Sequence, residues 1–516
     1  MSQEETGSRI PKFAHSYWRE FEEIPSFTGL QESLTTDIAI VGGGIAGIVS
    51  AYLLAKAGKK IILLDAGKLI DGATGYTTAK ITAQHNLLYS EFIETIGAEQ
   101  AKLYYEANSG GLKFIQETAS ELGIACDLTV QNAFVYSETE LGKQKIEKEA
   151  EAYKTLGIDG GLATSEVDLP FDVTAAIVMR NQAQFHPVKF LAGLLREIER
   201  LGGIVYEQTR AMKIEKEDRP VIQTENGMRI SCNKVIVASH YPINSSDGLY
   251  FSKLSVNRSY VIAVRTEAKI PTGVYLSADS PTRSMRAIPT DEGETLLMIG
   301  GDGHPAGRSK TNILEHYQNL AHFGEEHFGI KEIPYRWSTQ DLATLDKVPY
   351  VGTMTASYDH ILVATGFNKW GMSNGAAAGM MLADRILGKP NPYAEVFDPT
   401  RTKMEKADVE DFIKDNAAVA KAFIVGKLKR TVETADELEA DEGGIVKIDG
   451  EKTGAYRDEN GQLHLVSTTC SHLGCTVKWN DAERSWDCPC HGSRFSYNGD
   501  VLDGPAVHPL KKLDAE

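Results

Sequence analysis

Long apolar runs are missing from this 516-residue chain. The longest near the domain junction, Ala417 to Val425, is broken by Lys421 and is far short of the ~20 residues that cross a bilayer. Basic residues are in deficit, with 54 Lys and Arg against 71 Asp and Glu and a net charge of -17. That balance speaks against nucleic acid and for a solvated surface or a basic partner. Cysteine is scarce as well. Of six, four fall between Cys470 and Cys490, while Cys126 and Cys232 sit alone in apolar surroundings, so no secreted disulfide framework is present. The start, Met1-Ser-Gln-Glu-Glu, lacks a basic-then-apolar leader, and a cytoplasmic location is expected.

What is there is more than one core can hold at 56.5 kDa. Residues 1–35 are polar with scattered aromatics and read as an arm on the first domain. Asp37-Ile-Ala-Ile-Val41 is a short run fit for a buried parallel strand, and it opens into Gly42-Gly-Gly44-Ile-Ala-Gly47. A helical pattern follows, then a second strand, Lys60 to Asp65. Gly42 makes the tight turn, Gly44 admits a pyrophosphate, and Gly47 lets helix pack on strand. Asp65 is placed for ribose hydroxyls, which argues against a 2′-phosphate and so against NADP. The loop from Gly67 to Lys80 adds a second glycine and hydroxyl cluster that can wrap a longer ligand. Lys234 to Ser239 is a further buried strand. Ile361 to Gly375 is again strand, glycines and helix, a second helix start available to a ring system.

At these residues the sequence resembles the FAD-dependent amine and amino-acid oxidoreductases of the D-amino-acid-oxidase and sarcosine-oxidase type, over roughly 35–395. The resemblance implies an α/β FAD-binding domain of glutathione-reductase-like fold and a substrate domain on an antiparallel sheet, roughly 90–175 and 246–336. It places FAD on Gly42, Gly43, Gly44, Ile45, Ala46, Gly47, Asp65, Ala66, Thr74, Thr78, Ala79, Ala238, Gly366, Gly371 and Met372. Relatives clamp a substrate carboxylate with basic residues, for which Lys80, Arg283, Arg286 and Lys369 are candidates. The sarcosine-oxidase type carries a Lys soon after the flavin turn, where this chain has Met372-Ser373; amino-acid specificity is in doubt on that ground. Leu296 to Gly307 is also strand-then-glycines, but Pro305 removes an N–H and no acid-ending strand follows. It reads as a substrate-domain strand, with His304 as an active-site candidate. No separate nicotinamide domain is visible, so a small organic substrate is the expected electron source.

The C-terminal part has a different signal. Cys470-Ser-His472 and Cys488-Pro-Cys490-His491 are two short arms able to hold a 2Fe–2S centre through two thiolates and two imidazoles. Zinc is the alternative, though Cys-x-His is unlike the spacing of structural zinc sites. Here the sequence resembles the Rieske family in its disulfide-bearing form, which implies iron ligands Cys470, His472, Cys488 and His491 and a Cys475–Cys490 bridge. Gly504-Pro505-Ala506 matches that family's proline loop. Ser493 is placed to donate to a sulfur. High-potential relatives carry a Tyr two residues later, where this chain has Phe495, so a lower potential is expected. The order of parts is that of the YhfW-like fusion proteins.

The expected boundaries are 1–35 for the arm, 36–400 for the flavoprotein, 401–432 for a linking helix and 433–516 for an all-β Rieske domain. The linking helix reads as packed on the flavoprotein, and the acidic stretch Glu433 to Glu442 marks the boundary. The expected function is oxidation of a small amine or amino-acid-like substrate, as a dehydrogenase rather than an oxidase, with electrons leaving singly to an external acceptor protein. Reverse flow, from a donor protein through the cluster to the flavin, and a non-catalytic electron carrier are the alternatives. A Rieske oxygenase would need a mononuclear site of two His and a carboxylate, and no such cluster is evident.

Overall fold

The structure, a computed structural model, describes residues 9–21, 23–401 and 434–514. The expected linking helix lies, apart from Arg401, outside the described residues.

The apolar run Ile38 to Val41 is buried and forms the centre of an eight-stranded sheet. Leu34–Val41 pairs in parallel with Arg229–Val237 on one side and Ile61–Leu64 on the other. Tyr358–Thr365 extends the parallel part, and Tyr350–Thr355 closes that edge antiparallel. Continuous apolar strands are what a sheet covered on both faces requires. The helices Ile45–Lys56 and Gly371–Ile386 lie against each other through glycine: a Cβ on Gly379 would stand 2.6 Å from Val49 Cγ1, and one on Gly375 2.6 Å from Ile45 Cγ2. Small residues bring the two helix starts side by side above the sheet.

A nine-stranded sheet makes the second layer. It is antiparallel except where Val274–Ser277 runs parallel to Thr129–Ser137, joining two blocks of chain far apart in sequence. The sheet extends past the spans expected for a substrate domain, taking in Lys80–Ile81, Ala175–Gln184 and Ile330–Thr344. The N-terminal arm seats Tyr17 and Trp18 in the core, with the Trp18 indole donating to the Thr77 carbonyl at 2.7 Å. His186 caps the helix Pro187–Arg200, accepting from Lys189 N at 3.2 Å.

Residues 442–513 form two four-stranded antiparallel sheets. This unit is docked on the nine-stranded sheet through Glu483, which accepts from Arg258 and Ser338 across the contact and from Arg494 within the unit at 2.6 Å. Arg336 donates to the Ala482 carbonyl at 3.0 Å, and Gln340 to the Gly492 carbonyl at 3.0 Å. Glu483 is buried, and the two guanidiniums hold its carboxyl down at about 2 against the cost of desolvation.

Candidate active site and cluster site

A cavity of about 970 Å³ opens where the two sheets and the docked unit meet. Its floor is the glycine turn. Gly42 has φ 110°, and a Cβ there would meet the Ala238 carbonyl oxygen at 2.4 Å. Gly47 lies below the floor, where a Cβ would stand 1.9 Å from the Gly42 carbonyl oxygen, so only glycine lets the helix start so close to the strand. Asp65 accepts from Gly43 N at 2.7 Å and Gly67 N at 2.8 Å, which fixes its carboxylate at the end of its strand. Thr74 Oγ1 accepts from Ile45 N at 3.2 Å. A helix start, an ordered acid and a large cavity over bare glycines fit a dinucleotide.

Of the residues expected to hold FAD, Gly42, Gly43, Gly44, Ile45, Ala46, Asp65, Ala66, Thr74, Thr78, Ala238, Gly371 and Met372 line this cavity. Gly47, Ala79 and Gly366 stand behind the wall. Gly366 has φ 77° and turns the chain against Thr344, while the Ala79 carbonyl accepts from Arg286 at 2.7 Å.

The five substrate-site candidates separate. Lys80 and Lys369 line the cavity. Lys80 donates to the Tyr275 carbonyl at 2.8 Å, and burial pushes its amine down to about 7. Arg286 does not reach the cavity; its guanidinium is buried 5.1 Å over the Trp18 ring. His304 lies on Thr295–Pro305, a strand paired on both sides, as expected in place of a second dinucleotide turn. Gly300 to Gly303 line the cavity but His304 does not; its Nε2 shares a proton with the Tyr260 hydroxyl at 2.8 Å and its ring stacks on His316 at 4.7 Å. Arg283 is also engaged, paired with Asp302 at 3.1 Å.

Other lining residues carry no motif. His85 is held between Tyr104 at 2.6 Å and Ser373 at 3.1 Å, stacked on Trp370, and burial pushes it down to about 3, so it is neutral. His240 and Asp341 also face the cavity. Residues 501–507 of the docked unit complete the wall. An acid in the strand Ile330–Thr344 was the one available signal for Asp341.

In the docked unit, Cys470 and Cys488 are buried free thiols and Cys475 is bonded to Cys490. The His472 and His491 rings are 5.0 Å apart. His491 Nδ1 is buried without a hydrogen-bond partner among the described residues, an orphan that a metal ligand bond would satisfy. The Cys470 and Cys488 thiols stand against each other and the two imidazoles against each other, a donor set that fits a Rieske cluster. Ser493 Oγ stands against the Cys470 thiol and accepts from Ala506 N at 3.0 Å. His491 packs edge-on to Phe251 of the flavoprotein at 6.2 Å, and Arg308 donates to the Pro489 carbonyl at 2.7 Å. The cluster loop therefore faces the domain that carries the cavity.

Comparison with known proteins supports both cofactors. Residues 37–385 match the family model for FAD dependent oxidoreductases, and residues 429–514 that for the Rieske [2Fe-2S] domain. The chain is 44% identical to the Rieske 2Fe-2S iron-sulfur protein YhfW of Bacillus subtilis strain 168, over 97% of this chain and 98% of that protein. It is 24% identical to the gamma-glutamylputrescine oxidoreductase of Escherichia coli strain K12, over 72% of this chain and 87% of that one. In fold it is similar to glycine oxidase from Geobacillus kaustophilus, with a TM-score of 0.61 and 20% identity over 71% of this chain and 99% of that one.

Proposed function

Because the chain belongs to the FAD-dependent oxidoreductase family and carries a Rieske domain, with FAD and a 2Fe-2S cluster as its cofactors, we propose that it is a dehydrogenase for a small amine or amino-acid-like substrate that hands electrons singly to an external acceptor protein. When bound, FAD accepts an electron pair from an organic substrate and a Rieske cluster carries electrons one at a time.

The chain's own residues have separate tasks in this reading. The N–H groups from Gly43 to Ala46 would meet the pyrophosphate, and Asp65 would accept from ribose hydroxyls. Thr74, Thr78, Ala66, Ala238, Gly371 and Met372 would line the rest of the cofactor. Cys470, Cys488, His472 and His491 would hold the cluster, with Ser493 donating to a sulfur. Lys80, whose amine burial pushes down to about 7, can hold or release a proton at Nζ, and Lys369 stands in the turn that leads into Gly371.

The observation that carries the proposal is the shared wall. Residues 501–507, from the cluster-bearing unit, close the same cavity that Gly42 floors. Gln340 ties the strand next to the cavity to Gly492, the residue after His491.

The test is anaerobic. Amines and N-methyl amino acids are added to the purified protein while the flavin and cluster absorbances are followed. Flavin bleaching followed by cluster reduction is expected. Failure of every amine, with filling of the flavin from a reduced ferredoxin, would establish the reverse direction.

A further inference from the structure

One end of the cavity is lined by polar side chains without a hydrogen-bond partner among the described residues. Ser259 Oγ and His240 Nε2 are buried without a hydrogen-bond partner among the described residues. The side chains of Asp341 and Lys369 have no hydrogen-bond or ion-pair partner among the described residues either, and all four residues line the cavity. They lie together. In the strand pairing Asn257 faces Asp341 and Ser259 faces Thr339, so Ser259 and Asp341 are diagonal neighbours on one face of the sheet. A Cβ on Gly303 would stand 2.9 Å from Ser259 Oγ and 3.2 Å from Lys369 Nζ, which places those two side by side.

We propose that Asp341 is a substrate-recognition residue that takes the ammonium group of the substrate, with Ser259 and His240 completing the polar end of the site. The inference rests on the amine reading above. Burial raises the Asp341 carboxyl, while Lys369, His240 and Arg258 pull it back towards ionisation. A carboxylate so placed is costly when left alone and is satisfied by a cationic donor. Oxidation next to nitrogen needs the nitrogen lone pair to form C=N as the C–H hydrogen leaves with its electron pair as hydride, for which FAD, when bound, would be the acceptor. A reacting ammonium must therefore first give up a proton, for which Asp341 is the adjacent acceptor. A second, distal ammonium would stay charged and be held there. Both sources share the chemistry that Asp341 reads.

The experiment uses the holoprotein under argon, with N-methylglycine and 1,4-diaminobutane as cationic probes and acetate as the anionic one. Binding is read by calorimetry, and flavin content and the cluster spectrum confirm that each variant is intact. Asp341→Asn is expected to weaken both cationic probes by tenfold or more and to leave acetate unchanged or tighter, with Asp341→Glu restoring part of the loss. Lys369→Gln separates the sources: a loss confined to N-methylglycine marks a zwitterion, and no loss for either marks a plain amine. Binding of both cationic probes within twofold of the parent in Asp341→Asn overturns the role of Asp341. If amines still reduce the flavin of that variant normally, the amine reading stands without Asp341. A parent protein that neither binds nor oxidises any amine removes the amine reading itself.

Discussion

Lys80 and Phe495 illustrate how one position sets a measurable property. Burial lowers the Lys80 amine to about 7, so between there and the ordinary lysine value near 10.4 the unfolded chain binds a proton that the folded chain does not. Stability must therefore rise with pH across that window. Urea melts from pH 6.5 to 10 should show the rise in the parent, and it should be absent in Lys80→Met. Phe495 is fully buried, beside Cys470 and Cys488 in one core cluster. Phe495→Tyr adds a donor worth roughly 1 kcal/mol as a net hydrogen bond, and the midpoint potential should move upward in a spectroelectrochemical titration. An unchanged midpoint would remove Phe495 as the determinant. Asp341 was not legible at this scale, because an acid in a strand is ordinarily solvent-facing and only the neighbouring strand shows that it faces a cavity.

At the scale of elements, the strand, glycine turn and helix from Leu34 to Lys56 were legible because their signal is local. Gly47 is demanded by the Gly42 carbonyl five residues before it, and Gly42 by its own φ of 110°, although Gly42 also lies close against Ala238 from a distant strand. Gly47→Ala should lower FAD retention by tenfold or more, since its Cβ would strike backbone rather than a side chain that can move. FAD content after gel filtration checks this, with Gly388→Ala, at an open surface turn, as the control expected to keep its flavin. The nine-stranded sheet was only partly legible. Lys80–Ile81 and Gly160–Leu162 are too short to show a period of two, and the parallel pairing of Val274–Ser277 with Thr129–Ser137 joins segments with no sequence relation. His304 belongs to the same lesson: its strand was recognised, but the pairing on both sides decides that its ring meets Tyr260 and His316.

For the whole molecule, the docking of the cluster unit is the decisive feature, and Glu483 is its centre. Removing one partner of a buried ion pair strands the others, at a cost of roughly 3–5 kcal/mol. Glu483→Gln should lower the unfolding midpoint in a thermal melt, while each cofactor keeps its spectrum. Stability from this pair is present above the unfolded glutamate range near 4.3 and should be lost as pH falls towards about 2. The sequence by itself determined the two cofactor signatures, at Gly42 to Asp65 and Cys470 to His491. Fixed short spacings encode both, because a phosphate turn and a two-armed cluster are built by neighbours in the chain. Tertiary structure alone decided that residues 501–507 wall the flavin cavity, that Lys369 and Asp341 share its polar end, and that Arg258 meets Glu483. These contacts join residues tens to hundreds of positions apart, and such pairings follow from how sheets and domains pack, which no local pattern records.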